Sequence, residues 1–101
     1  MNRSQAIDTI DETKGALKYI LVLSDPEAEH LERLQLIDKM KKNGISRDKF
    51  YKITTALSHL DIVTEETTQR NGRIKKVHTA LTPKGKKIAE HLNQIKTILE
   101  E

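Results

Sequence analysis

The apolar pattern changes period at Leu60, and that change constrains the fold more than any other feature of the chain. Up to that point Phe50, Ile53, Leu57 and Leu60 fall at i, i+3, i+7 and i+10, which is one narrow face of a helix. Beyond it, Ile62-Val63-Thr64-Glu65-Glu66-Thr67-Thr68 and Ile74-Lys75-Lys76-Val77-His78-Thr79-Ala80-Leu81 are rich in β-branched residues and flank Gln69-Arg70-Asn71-Gly72-Arg73. Asn-Gly between two such runs signals a hairpin, because a two-residue turn needs positive φ at both central positions. Aromatic residues are only 3% of the chain, so the core must come mainly from Leu, Ile, Val and Ala. That composition favours helices meeting along aliphatic stripes over a large sheet sandwich. At 101 residues the chain is expected to form one domain spanning 1–101.

The remaining elements follow from periodicity and breakers. Residues 4–23 carry Ile7, Ile10, Leu17, Ile20, Leu21 and Leu23 at helical spacing, with Ser4 as a candidate N-cap and Gly15 as the weak point where the helix can break. Ser24-Asp25-Pro26 interrupts it, because proline disfavours helical geometry at the preceding residue and suits the first turn of a new helix. A second helix is expected from Pro26, with Leu31, Leu34, Ile37 and Met40 on one stripe and a stop at Asn43-Gly44, where glycine can take the left-handed closing conformation. Ser46 is a good N-cap for the third helix and Asp48 suits its first turn. Pro83 opens a last helix, expected over 83–100, in which Ile88, Leu92, Ile95 and Leu99 are spaced 4, 3 and 4.

Charge is distributed in blocks. Residues 1–40 hold five Lys/Arg against eight Asp/Glu, residues 41–87 hold twelve against four, and residues 88–101 hold one against three. A polyanion is therefore attracted to one part of the surface, and nucleic acid is the leading candidate. The absence of cysteine excludes disulfides, thiolate metal sites and cysteine nucleophiles. The apolar run Tyr19 to Leu23 is far too short to cross a bilayer, and the acidic start does not read as a signal peptide. The expectation is a soluble cytoplasmic protein without a membrane partner.

Helix, helix, short turn with Gly44, helix, basic-tipped hairpin, helix: in this order the sequence resembles the winged helix-turn-helix DNA-binding domain of small dimeric bacterial and archaeal transcriptional regulators, such as the MarR-like and related families. The resemblance rests on Gly44-Ile45-Ser46-Arg47-Asp48-Lys49-Phe50-Tyr51-Lys52-Ile53, on Leu57, Leu60 and Ile62-Val63, on Asn71-Gly72-Arg73, and on Leu81-Thr82-Pro83-Lys84-Gly85-Lys86-Lys87-Ile88-Ala89. It covers residues 14 to 92. It implies a mainly α fold with a small β-hairpin wing, in which helix 46–60 reads the major groove and the 62–82 hairpin lies along the backbone or in the minor groove. Asp61 departs from the family pattern, standing where glycine is common.

Helical geometry selects the same face independently. If Phe50, Ile53, Leu57 and Leu60 turn inward, a rotation of about 100° per residue puts Asp48, Tyr51, Lys52, Thr55 and His59 opposite, with Ser58 at the margin. A helix about 10–12 Å across fits the major groove. Lys52, Tyr51 and Thr55 are placed to meet bases, while Ser46, Arg47 and Lys49 near the helix start suit phosphates. Asp48 is expected to pair with Lys52 at i+4 and serve the helix dipole, the alternative being acceptance from a cytosine amino group. In the hairpin, Arg70, Arg73, Lys75 and Lys76 put four positive charges at or beside the tip, and Arg70 and Arg73 are the leading wing contacts by resemblance. Lys84, Lys86 and Lys87 can extend this basic surface.

The terminal helices, 4–23 and 83–100, present more apolar residues than a small winged domain can bury. Ile7, Ile10, Leu17 and Leu21, with Leu92, Ile95, Ile98 and Leu99, are therefore expected at a homodimer interface that sets two recognition helices about 34 Å apart. No phosphate-binding glycine pattern, HExxH or nucleophile triad is present, and His30, His59, His78 and His91 are dispersed without zinc-ligand spacing. The expectation is a non-enzyme without cofactor or metal, whose effector, if it has one, the sequence does not identify. The alternatives are a winged helix used only for protein contacts in a transcription or replication assembly, and an architectural DNA-binding protein without preferred sites.

Overall fold

The computed structural model describes the backbone of residues 5–70 and 73–101, and the side chains of these residues except 30 and 68–76. The elements run α1 (Gln5–Glu12), α2 (Ala16–Leu23), a 3-10 turn (Pro26–His30), α3 (Arg33–Lys42), α4 (Arg47–His59), β1 (Val63–Arg70), β2 (Arg73–Leu81) and α5 (Pro83–Leu99). The fold is mainly helical with one antiparallel hairpin.

The expected first helix is two. Gly15 adopts φ 91°, a left-handed conformation that is cheap only for glycine, and α1 ends before it while α2 starts after it. Ser4, the expected N-cap, lies outside the described residues. The apolar helix α2 is the hub, touching α1, α3, α4, α5, β2 and the 3-10 turn. It buries Ala16, Tyr19, Ile20, Val22 and Leu23.

The expected second helix is also divided, which corrects its inward stripe. Asp25 caps a 3-10 turn by accepting from the Glu27 amide, and helical geometry stops at Leu31. Glu32 then starts α3 with a capping box, its backbone amide donating to the Gln35 side chain at 3.0 Å. The break resets the helical phase. Leu36, Ile37 and Met40 point inward, whereas Leu34 is 68% exposed.

Local signals hold elsewhere. Gly44 takes φ 84° between α3 and α4, and the Ser46 hydroxyl accepts from the Lys49 amide to cap α4. Helix α4 buries Phe50, Ile53, Thr54 and Leu57. Leu60 is its C-cap and is half-buried. Thr54 Oγ1 donates to the Phe50 carbonyl at 2.7 Å, so the Tyr19 hydroxyl is the donor in its 2.6 Å bond to Thr54. This relay satisfies two buried hydroxyls and ties α2 to α4. Burial pushes the Tyr19 hydroxyl well above the ordinary tyrosine range, so it stays a neutral donor.

After α4 the chain reverses through Asp61, whose φ of 60° is left-handed. That is the position where the resemblance expects glycine, and aspartate tolerates the geometry better than most residues. The strands pair in register from Val63↔Leu81 to Arg70↔Arg73, with an irregularity between Thr68 and Gln69. The Asn71-Gly72 turn lies outside the described residues. At the base of the hairpin, the Thr82 hydroxyl donates to the Asp61 carbonyl at 2.6 Å and accepts from the Gly85 amide at 3.0 Å. It thereby caps α5, whose first turn contains Pro83. Gly85 is needed for space: a Cβ there would stand 2.1 Å from the Ile62 carbonyl oxygen. Among the described residues no helix is long and apolar enough to cross a membrane.

Candidate nucleic-acid interface

The face of α4 opposite the core is open. Ser46, Arg47, Asp48, Lys49, Tyr51, Lys52, Thr55, Ser58 and His59 are all exposed, while Phe50, Ile53 and Leu57 are at most 1% exposed. Helices α3 and α4 pack together, and β1 also packs against α4. The helix with the open polar face thus has the preceding helix and the hairpin as neighbours, the arrangement of a helix-turn-helix with an attached hairpin.

Tyr51 is the most constrained residue on that face. Its ring meets Phe50 edge-on with centroids 5.5 Å apart, and the guanidiniums of Arg33 and Arg47 each lie 5.9 Å from its centre. The two cations come from the first turns of the two helices, and such contacts over a tyrosine face are attractive. Thr55 donates its hydroxyl to the Tyr51 carbonyl at 3.0 Å, one turn back in the helix. Lys52 lies between them in sequence and is exposed.

Two contributors escaped the sequence reading. Arg33 forms an ion pair with Glu65 on β1, joining the start of α3 to the wing while it flanks Tyr51. The partners are 32 positions apart, and no periodicity announces a pair at that separation. Lys84, read as an extension of the basic surface, donates its ammonium to the Leu60 carbonyl at 3.0 Å. It caps the C-terminus of α4, where free carbonyls and the helix dipole favour a cation. The expected Asp48–Lys52 pair does not form: among the described residues no ion pair joins them. Both side chains are in water, where such a pair contributes little against the entropy of ordering two side chains.

For Arg70, Arg73, Lys75 and Lys76 the structure places the backbone on β1 and β2 at the far end of the hairpin. Their side chains lie outside the described residues. Lys86 and Lys87 are exposed on the first turns of α5. His78 Nδ1 is 3.0 Å from the Leu31 carbonyl, which ties β2 to the junction before α3. Among the described residues no group of three His, Asp or Glu side chains is placed to hold a metal ion.

The residues expected at a subunit interface divide. Ile10 and Leu92 pack partly against the chain's own core. Leu17, Leu21, Leu92, Ile95 and Leu99 line one apolar groove between α2 and α5, and Ile95, Ile98 and Leu99 are 51%, 64% and 78% exposed. Ile7, on α1, is 68% exposed.

No family model matches the chain, and no curated protein matches it in sequence. Two solved structures do match in shape. A protein from Streptococcus mutans UA159 superposes with a TM-score of 0.66 at 18% identity, covering 84% of this chain and 81% of that one. A PadR-like transcription factor from Bacteroides fragilis superposes with a TM-score of 0.61 at 18% identity, over 93% of this chain and 91% of that one. The fold is a winged helix. The likeness supports the winged helix-turn-helix resemblance in general and does not single out the MarR-like branch.

Proposed function

We propose that this chain is a sequence-specific double-stranded DNA-binding transcriptional regulator that acts as a homodimer. The carrying observation is the uninterrupted polar face of α4, exposed from Ser46 to His59 and flanked by the wing. In this reading Tyr51, Lys52, Thr55, Ser58 and His59 meet base edges in the major groove, and Ser46, Arg47 and Lys49 hold phosphates at the helix start. Arg70, Arg73, Lys75 and Lys76 bring the wing onto the backbone or into the minor groove. The block of twelve Lys/Arg against four Asp/Glu over residues 41–87 provides the attraction to phosphate and a steep salt dependence. The likeness to a PadR-like transcription factor agrees with this reading.

Dimerisation is assigned to the apolar groove of α2 and α5 lined by Leu17, Leu21, Leu92, Ile95 and Leu99, with Ile98, Ile7 and Ile10 as further contacts. Two copies joined there would present paired recognition helices to successive major grooves.

Enrichment of bound duplexes from a random pool tests specificity and symmetry together. A two-fold symmetric consensus is the expected result. Binding that survives scrambling of the enriched sequence would leave an architectural protein, and no binding at low ionic strength would leave a protein-contact module. Within the enriched site, Arg73→Ala should flatten the salt slope by about one unit and weaken all sequences alike, whereas Lys52→Ala and Thr55→Ala should relax preference at particular base pairs. Uniform, non-selective losses from all three would overturn the assignment of α4 to base readout.

A further inference from the structure

Arg33 stands outside the side chains assigned to DNA, and it touches both the wing and the open face of α4. Its guanidinium pairs with Glu65 on β1 and lies 5.9 Å from the centre of the Tyr51 ring. Arg33 also begins α3, so three elements meet at one side chain. Arg47 lies at the same distance from the ring but is exposed. The Arg33 side chain is only 34% exposed, and its buried Nε has no hydrogen-bond partner among the described residues. Arg33 is thus engaged within the protein, whereas Arg47 is open to a phosphate.

Stability does not account for this arrangement. A partly exposed ion pair contributes little, and an unmade hydrogen bond at a buried donor is unfavourable. What such a pair fixes is geometry. Glu65 is opposite Thr79 in the hairpin, and Thr79 is buried, so the pair lies on the inner side of the wing. His78 Nδ1 meets the Leu31 carbonyl at 3.0 Å, which ties β2 to the same junction before α3. The basic end of the hairpin is farther out. Arg70 is five positions beyond Glu65 on β1, about 17 Å along an extended strand, so a tilt of about 10° at the tie moves it by about 3 Å. That displacement is as long as a hydrogen bond.

On the DNA-binding reading above, on which this rests, we propose that Arg33 is a positioning residue. Through Glu65 and Tyr51 it holds the wing and α4 in the one relative geometry that lets both meet the same duplex. Arg33 itself holds no phosphate; it sets where the basic end of the wing arrives while α4 lies in the groove. Glu65 separates this role from a simple charge effect. A carboxylate near DNA repels phosphates, so on charge alone its removal tightens binding. If Glu65 orients the wing through Arg33, its removal weakens binding.

Anisotropy of a labelled duplex from the bound fraction of the random pool, read at one fixed salt concentration, tests this on the intact chain. Glu65→Gln should weaken binding about threefold although it makes the protein more positive. Arg33→Gln loses the tie, the contact with Tyr51 and a charge, and should weaken binding about tenfold. The double variant should bind no worse than Arg33→Gln alone, because the glutamate has nothing left to hold. All three should keep the parent's circular dichroism and a thermal midpoint within about 5 °C of it. Tighter or unchanged binding by Glu65→Gln would overturn the proposal. So would losses that simply add in the double variant, or a weakening that follows a clearly lower midpoint. No binding by the parent, even at low ionic strength, would remove the DNA-binding reading and the positioning role with it. A parent that binds beside an unimpaired Glu65→Gln variant would remove the positioning role alone.

Discussion

Helix α4 and the last turns of α5 carry the same kind of aliphatic stripe with opposite outcomes. Phe50, Ile53 and Leu57 on α4 are sealed by α2, α3 and β1, each at most 1% exposed. Ile95, Ile98 and Leu99 on α5 follow a comparable spacing and remain more than half exposed. Helical periodicity says which side of a helix is apolar. What covers that side is decided by the rest of the chain, and for α5 the rest of the chain runs out after Leu92, which still packs against the core. The two helices differ accordingly: α4 is packed on three sides while its polar face stays open, whereas the last turns of α5 leave their apolar residues exposed.

The largest effect expected from this contrast is in the sealed region. Phe50→Ala should cost about 3–5 kcal/mol in urea unfolding, because it opens a cavity beside Tyr19, whose ring centroid is 5.6 Å away. Ile98→Ala should change monomer stability by less than about 0.5 kcal/mol. Comparable losses would mean that α5 is as deeply packed as α4. Next comes the corner that sets the wing against α5. Gly85→Ala drives a methyl into the Ile62 carbonyl and should destabilise by about 3 kcal/mol, detectable as a lower thermal midpoint. A midpoint within error of the parent would show that the corner can yield.

The open face is sharpened by Ile95→Lys. If a second copy covers it, sedimentation should show the dimer dissociating at a concentration at least tenfold higher, with the subunit fold intact by circular dichroism. An unchanged mass at every concentration would remove this face from the interface. The smallest effect is electrostatic and lies on the surface. Asp25 accepts the Glu27 amide and then the Lys39 ammonium at 3.1 Å, and these hold its carboxyl below the usual aspartate range. Its contribution to stability is therefore present above the ordinary aspartate pKa, about 3.9, and is lost as pH falls through the lowered folded value. The stability gap between the parent and Asp25→Asn should stay constant from neutrality to about pH 4 and close below it. A gap unchanged down to pH 2 would assign Asp25 a purely neutral capping role.

Much of this fold was legible locally. Ser46, Gly44 and Pro83 act on backbone groups within four residues, so their roles follow from the chain alone. The candidate site was legible to the same depth: the face carrying Tyr51, Lys52 and Thr55 is open because the residues one and two positions away are buried. The capping box of Glu32 and Gln35 is equally local, yet it was masked by a stripe that ran smoothly across Leu31 to Met40, and the wrong phase put Leu34 inside. Arg33 with Glu65, Lys84 with the Leu60 carbonyl, and Gly85 under the Ile62 carbonyl could not be read, because each depends on where a distant segment passes.

By itself the sequence determined the order of helices and strands, their caps and breaks, and which side of each is apolar, since these depend on backbone sterics and side-chain spacing over a few residues. Only the tertiary structure decided that Tyr51 stands between two arginines, that α4 is capped by a lysine from α5, and that Leu17, Leu21, Leu92, Ile95 and Leu99 meet in one groove between α2 and α5. Those outcomes require segments tens of residues apart to meet, and a linear pattern carries no distances between them.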